Sequence, residues 1–126
     1  MANESLPKED QIVISDEVTA IIAGIAANKV DGIASMSGGV VGNLAERLGA
    51  KKDLARGVKV ESTNEEASIE LNLIVDYGIK IHETCGVVQE RVREAVQEMT
   101  GLAVPGVSVN VQGVNLDEQI ELENTD

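Results

Sequence analysis

His82 and Cys85 are the side chains of this sequence best suited to nucleophilic chemistry, and they lie three residues apart. On a helix, that spacing places both on one face, where an imidazole could activate a thiol. Thiol catalysis also needs a third group that orients the base and a site that stabilises an oxyanion. The chain has one histidine and one cysteine, and Cys85 falls within an apolar pattern. We therefore interpret Cys85 as a buried, unreactive thiol and predict no catalytic residues.

Metal and cofactor sites are not indicated either. One cysteine and one histidine are too few for a zinc site, and the acidic residues lack the D-x-D-x-D-G spacing of a calcium loop. The segment from Ser37 to Gly42 reads SGGVVG, and a glycine-rich loop before a helix can hold a phosphate. It lacks the Lys-Ser/Thr of a P-loop and the spacing G-x-G-x-x-G, so a connector is favoured. We predict no metal, no cofactor and no small-molecule substrate.

Basic residues are concentrated in one segment of an otherwise acidic chain. The chain has 22 acidic and 10 basic residues, for a formal net charge of −12. Five of the basic residues fall within thirteen positions, where Asp53 is the only acidic residue. These five are Arg47, Lys51, Lys52, Arg56 and Lys59. Their functional interpretation is a docking patch for an acidic partner or surface, and the alternative is a solvated loop.

Composition restricts the partners and the compartment. One Tyr with no Phe or Trp argues against a base-stacking platform, and the negative charge opposes nucleic acid and anionic lipid. The apolar run from Ala20 to Ala27 is about a third of a membrane span. The first residues lack the pattern of a secretion signal, and a single cysteine fits a reducing compartment. We expect a cytoplasmic protein that contacts the membrane only peripherally or through a partner.

The stretch from Tyr77 to Leu102 organises the predicted fold. Its apolar residues recur at steps of four, three, four, four and three, which predicts one face of a helix: Ile81, Cys85, Val88, Val92, Val96 and Met99. The polar residues of the same stretch are expected to face water: Glu83, Gln89, Glu90, Arg93, Glu94, Gln97 and Glu98. Gly101 provides a left-handed stop. Because an isolated helix does not bury its apolar face, a sheet is expected against it.

The remaining chain predicts one domain. We expect a disordered lead over residues 1–10, a single α+β domain over 11–114, and an acidic tail over 115–126. The domain is predicted to be two-layered, a mixed sheet of about five strands with two main helices packed on it. The first helix is expected over Ser15–Asn28, with an apolar stripe of Val18, Ile21, Ile22 and Ile25. Expected strands are Gln11–Ser15, Ile33–Met36, Gly57–Ser62, Ala67–Tyr77 and Val107–Val114, with turns at Thr63–Glu66 and Pro105-Gly106.

Six stretches, taken in order, resemble one family. They read ISDEVTAIIAGIAANKVDGIASM, SGGVVGNLAERLG, ARGVKVE, IELNLIVDYGIKI, VQERVREAVQEMTGL and VSVNVQGVNL, and they cover about Ile14 to Leu116. Together they resemble the alkaline shock protein family of Gram-positive bacteria, also called envelope stress response proteins. His82 and Cys85 depart from the family pattern, which more often has Pro and a small apolar residue there.

The resemblance implies a non-enzymatic cytoplasmic protein that acts in the envelope stress response and in envelope homeostasis. Such a protein would bind itself or a membrane-anchored relative, and it would form a layer beneath the membrane. The resemblance brings no catalytic residues to this chain.

An RNA-binding module is the alternative function. It would use the glycine loop and the basic segment 47–59, and Gly39-Val40-Val41-Gly42 matches the form of a GXXG clamp. The flanks of that loop lack basic residues, since the nearest is Arg47, and the net charge also opposes RNA.

Overall fold

The computed structural model describes residues 9–36 and 55–116, which form two helices and four strands. In chain order these are α1 (Asp16–Asn28), β1 (Ile33–Met36), β2 (Val58–Ser62), β3 (Glu66–Asp76), α2 (Ile81–Thr100) and β4 (Ala103–Asn115). The helices pack on one face of the sheet, because residues of both share a core with the buried side of β3. The predicted two-layer α+β fold is confirmed, with four strands in the described residues instead of about five.

β3 is the central strand of the sheet. β4 pairs with it in parallel from end to end, while β2 pairs antiparallel with its first half and β1 with its last residues. A strand has two edges, and β4 occupies one of them along its whole length. β1 and β2 must therefore lie end to end along the other edge of β3. The sheet is mixed, as predicted.

The core lies between β3 and α2. Alternate residues of β3 are buried, as period two predicts: Ala67, Ile69, Leu71, Leu73 and Val75. Val88, Val92 and Val96 of α2 are fully buried against this side of the sheet. The predicted stripe was wrong at its two ends, since Ile81 is partly exposed and Met99 is 69% exposed. The core stops before the last turn of α2, so the periodic pattern is longer than the surface that it covers.

α1 begins at Ser15, whose Oγ accepts a hydrogen bond from the Val18 N–H at 3.1 Å. Its buried face consists mainly of small residues: Thr19, Ala20, Ile22, Ala23, Gly24 and Ala27. The predicted stripe was wrong at Val18 and Ile25, which are exposed. Small side chains let α1 approach the sheet and α2 closely, and this orientation turns the larger residues outward.

Two other expectations were wrong. Residues 11–15 form no strand, and Ile12 is 91% exposed. Pro105-Gly106 does not form a turn but lies within β4, where three steps along β4 match two along β3. That mismatch is a β-bulge, and a bulge on an edge strand tolerates a proline that donates no ladder hydrogen bond.

The predicted β2–β3 turn and the predicted end of α2 at Gly101 are confirmed. The N–H groups of Glu65 and Glu66 each donate to Thr63 Oγ1 at 3.1 Å, which closes the β2–β3 turn. Gly101 ends α2 with φ of 77°, in the left-handed conformation that favours glycine.

Candidate interaction surface

The structure describes two of the five residues in the predicted basic patch. Arg56 is exposed in the turn before β2, and Lys59 is exposed on β2 opposite Glu70 of β3. Arg47, Lys51 and Lys52 lie outside the described residues. The same holds for the Gly39–Gly42 loop that the RNA-binding alternative would use.

The described residues do locate both ends of the segment that carries the patch. Met36 ends β1 opposite Leu73, and Val58 begins β2 opposite Leu71. Leu71 and Leu73 are two positions apart on one strand, so these ends lie about 7 Å apart along the sheet edge. Met36 and Val58, the described residues that flank this part of the sequence, therefore lie at neighbouring points of one sheet edge.

α2 interacts with the opposite edge of the sheet through three polar side chains. Gln89 Nε2 donates to the Val107 carbonyl at 2.9 Å, and Arg93 Nε donates to the Val104 carbonyl at 3.1 Å. Gln97 Oε1 accepts a hydrogen bond from the Val104 N–H at 3.1 Å. All three were predicted to face water. Gln97 is exposed as predicted, Gln89 and Arg93 are half-buried, and each side chain also binds a backbone group at the start of β4.

The face of the sheet opposite the helices carries a row of amide side chains. Asn110 Nδ2 donates to Asn72 Oδ1 at 3.0 Å and to Glu70 Oε2 at 3.1 Å. Gln112 Nε2 donates to the same Asn72 oxygen at 3.2 Å. These bonds join β3 to β4 on the face against which no described helix packs.

The thiol of Cys85 has an environment that does not activate it. Cys85 is half-buried on the inner side of α2 and packs against the core, and burial raises the pKa of this thiol above its ordinary value. A raised pKa keeps the thiol protonated at neutral pH, where the thiolate is the nucleophile. His82, one turn earlier, is exposed.

Residues 9–36 and 55–116 contain neither a metal-binding cluster nor a helix suited to cross a membrane. No group of three or more His, Cys, Asp or Glu side chains there is placed to hold a metal ion. None of the helices in this part of the chain combines the length and the apolar character that crossing a membrane requires.

The sequence analysis did not predict the contacts that Gln89, Arg93 and Gln97 make with the backbone of β4. A signal was available, because these residues recur at steps of four and each directly follows or precedes a buried position of α2. Side chains at the boundary of the apolar face of a helix can reach the edge of the sheet that the helix covers. In this protein they reach the outer edge of β4.

Several known bacterial proteins are similar to this chain. It is 40% identical over 118 residues to the uncharacterised protein YloU of Bacillus subtilis strain 168. The aligned residues cover 92% of this chain and 98% of YloU. It is 32% identical over 128 residues to the uncharacterised protein YqhY of the same strain, covering 96% and 94%. A stress response regulator gls24 homolog of Streptococcus pyogenes is 30% identical over 113 residues, which cover 90% of this chain and 63% of that protein.

A family model matches most of the chain. It spans residues 4–116, which include every described helix and strand, and it is described as the ASP23 family with a cell envelope-related function. The match agrees with the order and extent of the six stretches identified in the sequence. This chain therefore belongs to the alkaline shock protein family ASP23, whose function is related to the cell envelope.

Proposed function

We propose that this protein is a non-enzymatic interaction module of the cell-envelope stress response. It acts in the cytoplasm near the inner face of the membrane, and it binds a second copy of itself or a membrane-anchored relative. The observation that carries the proposal is the family match over residues 4–116, together with the stress-response name of the streptococcal relative.

The geometry supports an interaction role for the basic segment. Met36 ends β1 and Val58 begins β2 at neighbouring points of one sheet edge. The whole chain carries a net charge of −12, and the sequence between these two residues holds four of its ten basic residues. An acidic partner would find its strongest electrostatic complement there.

The environment of Cys85 supports a role without covalent chemistry. The thiol is half-buried and its pKa is raised by burial. His82, the histidine of this chain, is exposed on the first turn of α2. The described residues of this helix serve packing and edge contacts instead. We infer that binding, and not catalysis, is the activity of this chain.

The test is a charge reversal with a matched control. The variant Lys51→Glu, Lys52→Glu, Arg56→Glu is expected to keep the circular dichroism spectrum and to weaken co-purification with membrane-fraction partners. The control Lys29→Glu, Lys80→Glu, Arg91→Glu reverses three basic residues elsewhere that are all exposed, so it changes the net charge equally. Only the first variant is expected to weaken binding. Equal loss in both would show a general charge effect.

Two outcomes would contradict the proposal. If the first variant binds envelope partners as the unmodified protein does at low salt, the basic segment is only a solvated loop. If the unmodified protein shifts a generic RNA in a gel and the first variant does not, the RNA-binding alternative is correct.

A further inference from the structure

β4 is an edge strand among the described residues. It runs for 13 residues and pairs with β3 on one side. Its other side presents backbone N–H and C=O groups, which is the arrangement by which a sheet accepts an additional strand.

α2 covers only the beginning of this edge. The side chains of Gln89, Arg93 and Gln97 bind outward backbone groups of Val104 and Val107. No described side chain makes a comparable hydrogen bond to the backbone beyond Val107. The edge from Ser108 onward is therefore available to another strand in the described part of the molecule.

The orientation of the free backbone groups follows from Val107. The register from Gly106 to Val111 has no bulge, and successive residues of a strand direct their backbone groups to opposite edges. Because the Val107 carbonyl points to Gln89 and away from β3, the backbone groups of Val109 and Val111 also point outward. A regular segment of an edge strand is thus ready to pair around Val109.

The edge also lacks the charges that normally protect such strands. Residues 99–116 are 18 consecutive positions without Asp, Glu, Lys or Arg, although charged residues make up 25% of the chain. Natural edge strands are commonly protected by lysine and other charged residues. On β2, at the other side of the sheet, Lys59 and Glu61 are exposed. An uncharged edge is the place where two copies of a −12 protein approach with least repulsion.

Apolar side chains near this edge are incompletely covered. Val111 is 37% exposed and Val114 is 47% exposed, and both are paired with buried residues of β3, Leu73 and Val75. They therefore lie on the helix side of the sheet, beyond the part of β4 that α2 covers. A strand added at this edge would bring further apolar surface against them.

From these observations we infer that β4 pairs antiparallel with β4 of a second copy, around a two-fold axis at Val109. Val109 then meets its own counterpart, and Val107 lies opposite the second copy's Val111. The Val107 carbonyl already accepts from Gln89, and its second lone pair can accept from the new strand. The helix side of the new ladder is aliphatic. On the amide side, Ser108 lies opposite Asn110, where a hydroxyl and an amide can bond. The two four-stranded sheets become one continuous sheet. This inference deepens the proposed binding role, and it rests on that role only for self-association.

The register can be tested by cross-linking in a background without the native thiol. Two variants are made in the full chain, Cys85→Ala with Ser108→Cys and Cys85→Ala with Asn110→Cys. In the proposed register, positions 108 and 110 form a non-hydrogen-bonded pair with Cα atoms about 4.5 Å apart, within the range of a disulfide. Identical positions are offset by two residues, so their Cα atoms are more than about 7 Å apart, outside that range.

The expected result is a disulfide dimer, formed with diamide as oxidant, only when the two variants are mixed. Dimers that form equally in each variant alone would overturn the register, and the absence of dimers in the mixture would overturn the pairing.

A proline substitution tests the same edge without oxidation. Val109→Pro removes an N–H group that points away from β3, so the sheet keeps its internal hydrogen bonds. Ser108→Pro is the contrasting variant, because the Ser108 N–H points toward β3 and its loss is expected to destabilise the fold. By sedimentation velocity, Val109→Pro is expected to weaken dimerisation at least about tenfold with an unchanged circular dichroism spectrum.

The outcomes separate this inference from the proposed function. If the unmodified protein is a monomer at all concentrations tested, or if Val109→Pro dimerises normally, the β4 pairing is wrong. The Val109→Pro variant keeps the basic segment unchanged. Its co-purification with membrane-fraction partners therefore tests the proposed function separately from the β4 pairing. A shorter chain that ends at Leu116 tests whether residues 117–126 pair with β4 of their own chain. Dimerisation equal to that of the full chain excludes such pairing. Stronger dimerisation of the shorter chain would overturn the inference for the intact protein.

Discussion

Cys85 illustrates how position and environment decide what a reactive side chain does. It lies on the inner side of α2, packs against the core, and has a thiol pKa that burial raises. A protonated thiol contributes apolar contact and is a poor nucleophile. The sequence interpretation of a buried and unreactive thiol agrees with the raised pKa, although the side chain is half-buried and not fully enclosed.

Replacing this thiol is expected to change stability and its pH dependence. Cys85→Ala removes a partly buried apolar group and is expected to cost about 1 kcal/mol in the free energy of unfolding at pH 7. In the unmodified protein the folded thiol has a higher pKa than the unfolded thiol, so the unfolded chain loses its proton first as pH rises. Stability is therefore lost above the ordinary thiol pKa, through the interval up to the folded pKa.

Urea denaturation of both proteins at pH 7.5 and pH 10 measures this effect. The two proteins differ only at residue 85, so the comparison isolates the thiol. The difference in unfolding free energy between them is expected to shrink at pH 10. An unchanged difference, or rapid labelling of the native thiol at neutral pH, would show that Cys85 is solvated.

At the scale of elements, α2 has two functions on two adjacent faces. Val88, Val92 and Val96 fill the core, while Gln89, Arg93 and Gln97 reach over the start of β4. One helix thus anchors the centre of the sheet and protects one end of its outer edge. The division explains why, among the described residues, the side-chain contacts to this edge end at Val107.

Arginine substitutions on α2 separate the edge contact from general effects of charge. Arg93→Ala leaves the Val104 carbonyl without its side-chain donor and is expected to cost about 1 kcal/mol in unfolding free energy. Arg91→Ala removes the same charge from an exposed position two residues earlier and is expected to change stability by less than about 0.5 kcal/mol. Thermal denaturation of both variants measures the contrast. Equal effects would mean that the Arg93 contact adds nothing to stability.

At the scale of the whole molecule, the two proposed binding surfaces are expected to respond oppositely to salt. The net charge of −12 repels a second copy, and the uncharged edge of β4 lowers that repulsion without removing it. The basic segment is proposed to attract acidic partners through the same long-range forces. Salt screens both, because the Debye length falls from about 30 Å at 0.01 M to about 8 Å at 0.15 M.

Increasing salt is therefore expected to strengthen self-association through β4 and to weaken binding through the basic segment. Sedimentation velocity between 0.01 and 0.3 M NaCl measures the first, and co-purification from membrane fractions over the same range measures the second. A dimer that dissociates as salt increases would place the basic segment, and not β4, at the contact between copies.

Local patterns predicted much of the fold. Period two along β3, the stop at Gly101 and the Thr63 turn were all readable, because each depends on contacts within a few residues. The family was also readable from six ordered stretches covering most of the chain. The basic patch was readable as a cluster, and its docking role remains a prediction.

Tertiary structure alone decided which apolar faces are buried and which polar groups bind backbone. α1 turns its small residues inward because close packing against α2 and β2 outweighs the burial of Val18 and Ile25. Pro105 enters an edge strand because a bulge and the side chain of Gln97 accommodate the backbone around it. β4 pairs in parallel with β3, and the outer edge of β4 beyond Val107 is uncovered in the described part of the chain. Both features depend on contacts distant in sequence. No local pattern encodes them, because they exist only when α2 crosses between the two strands and covers part of the second.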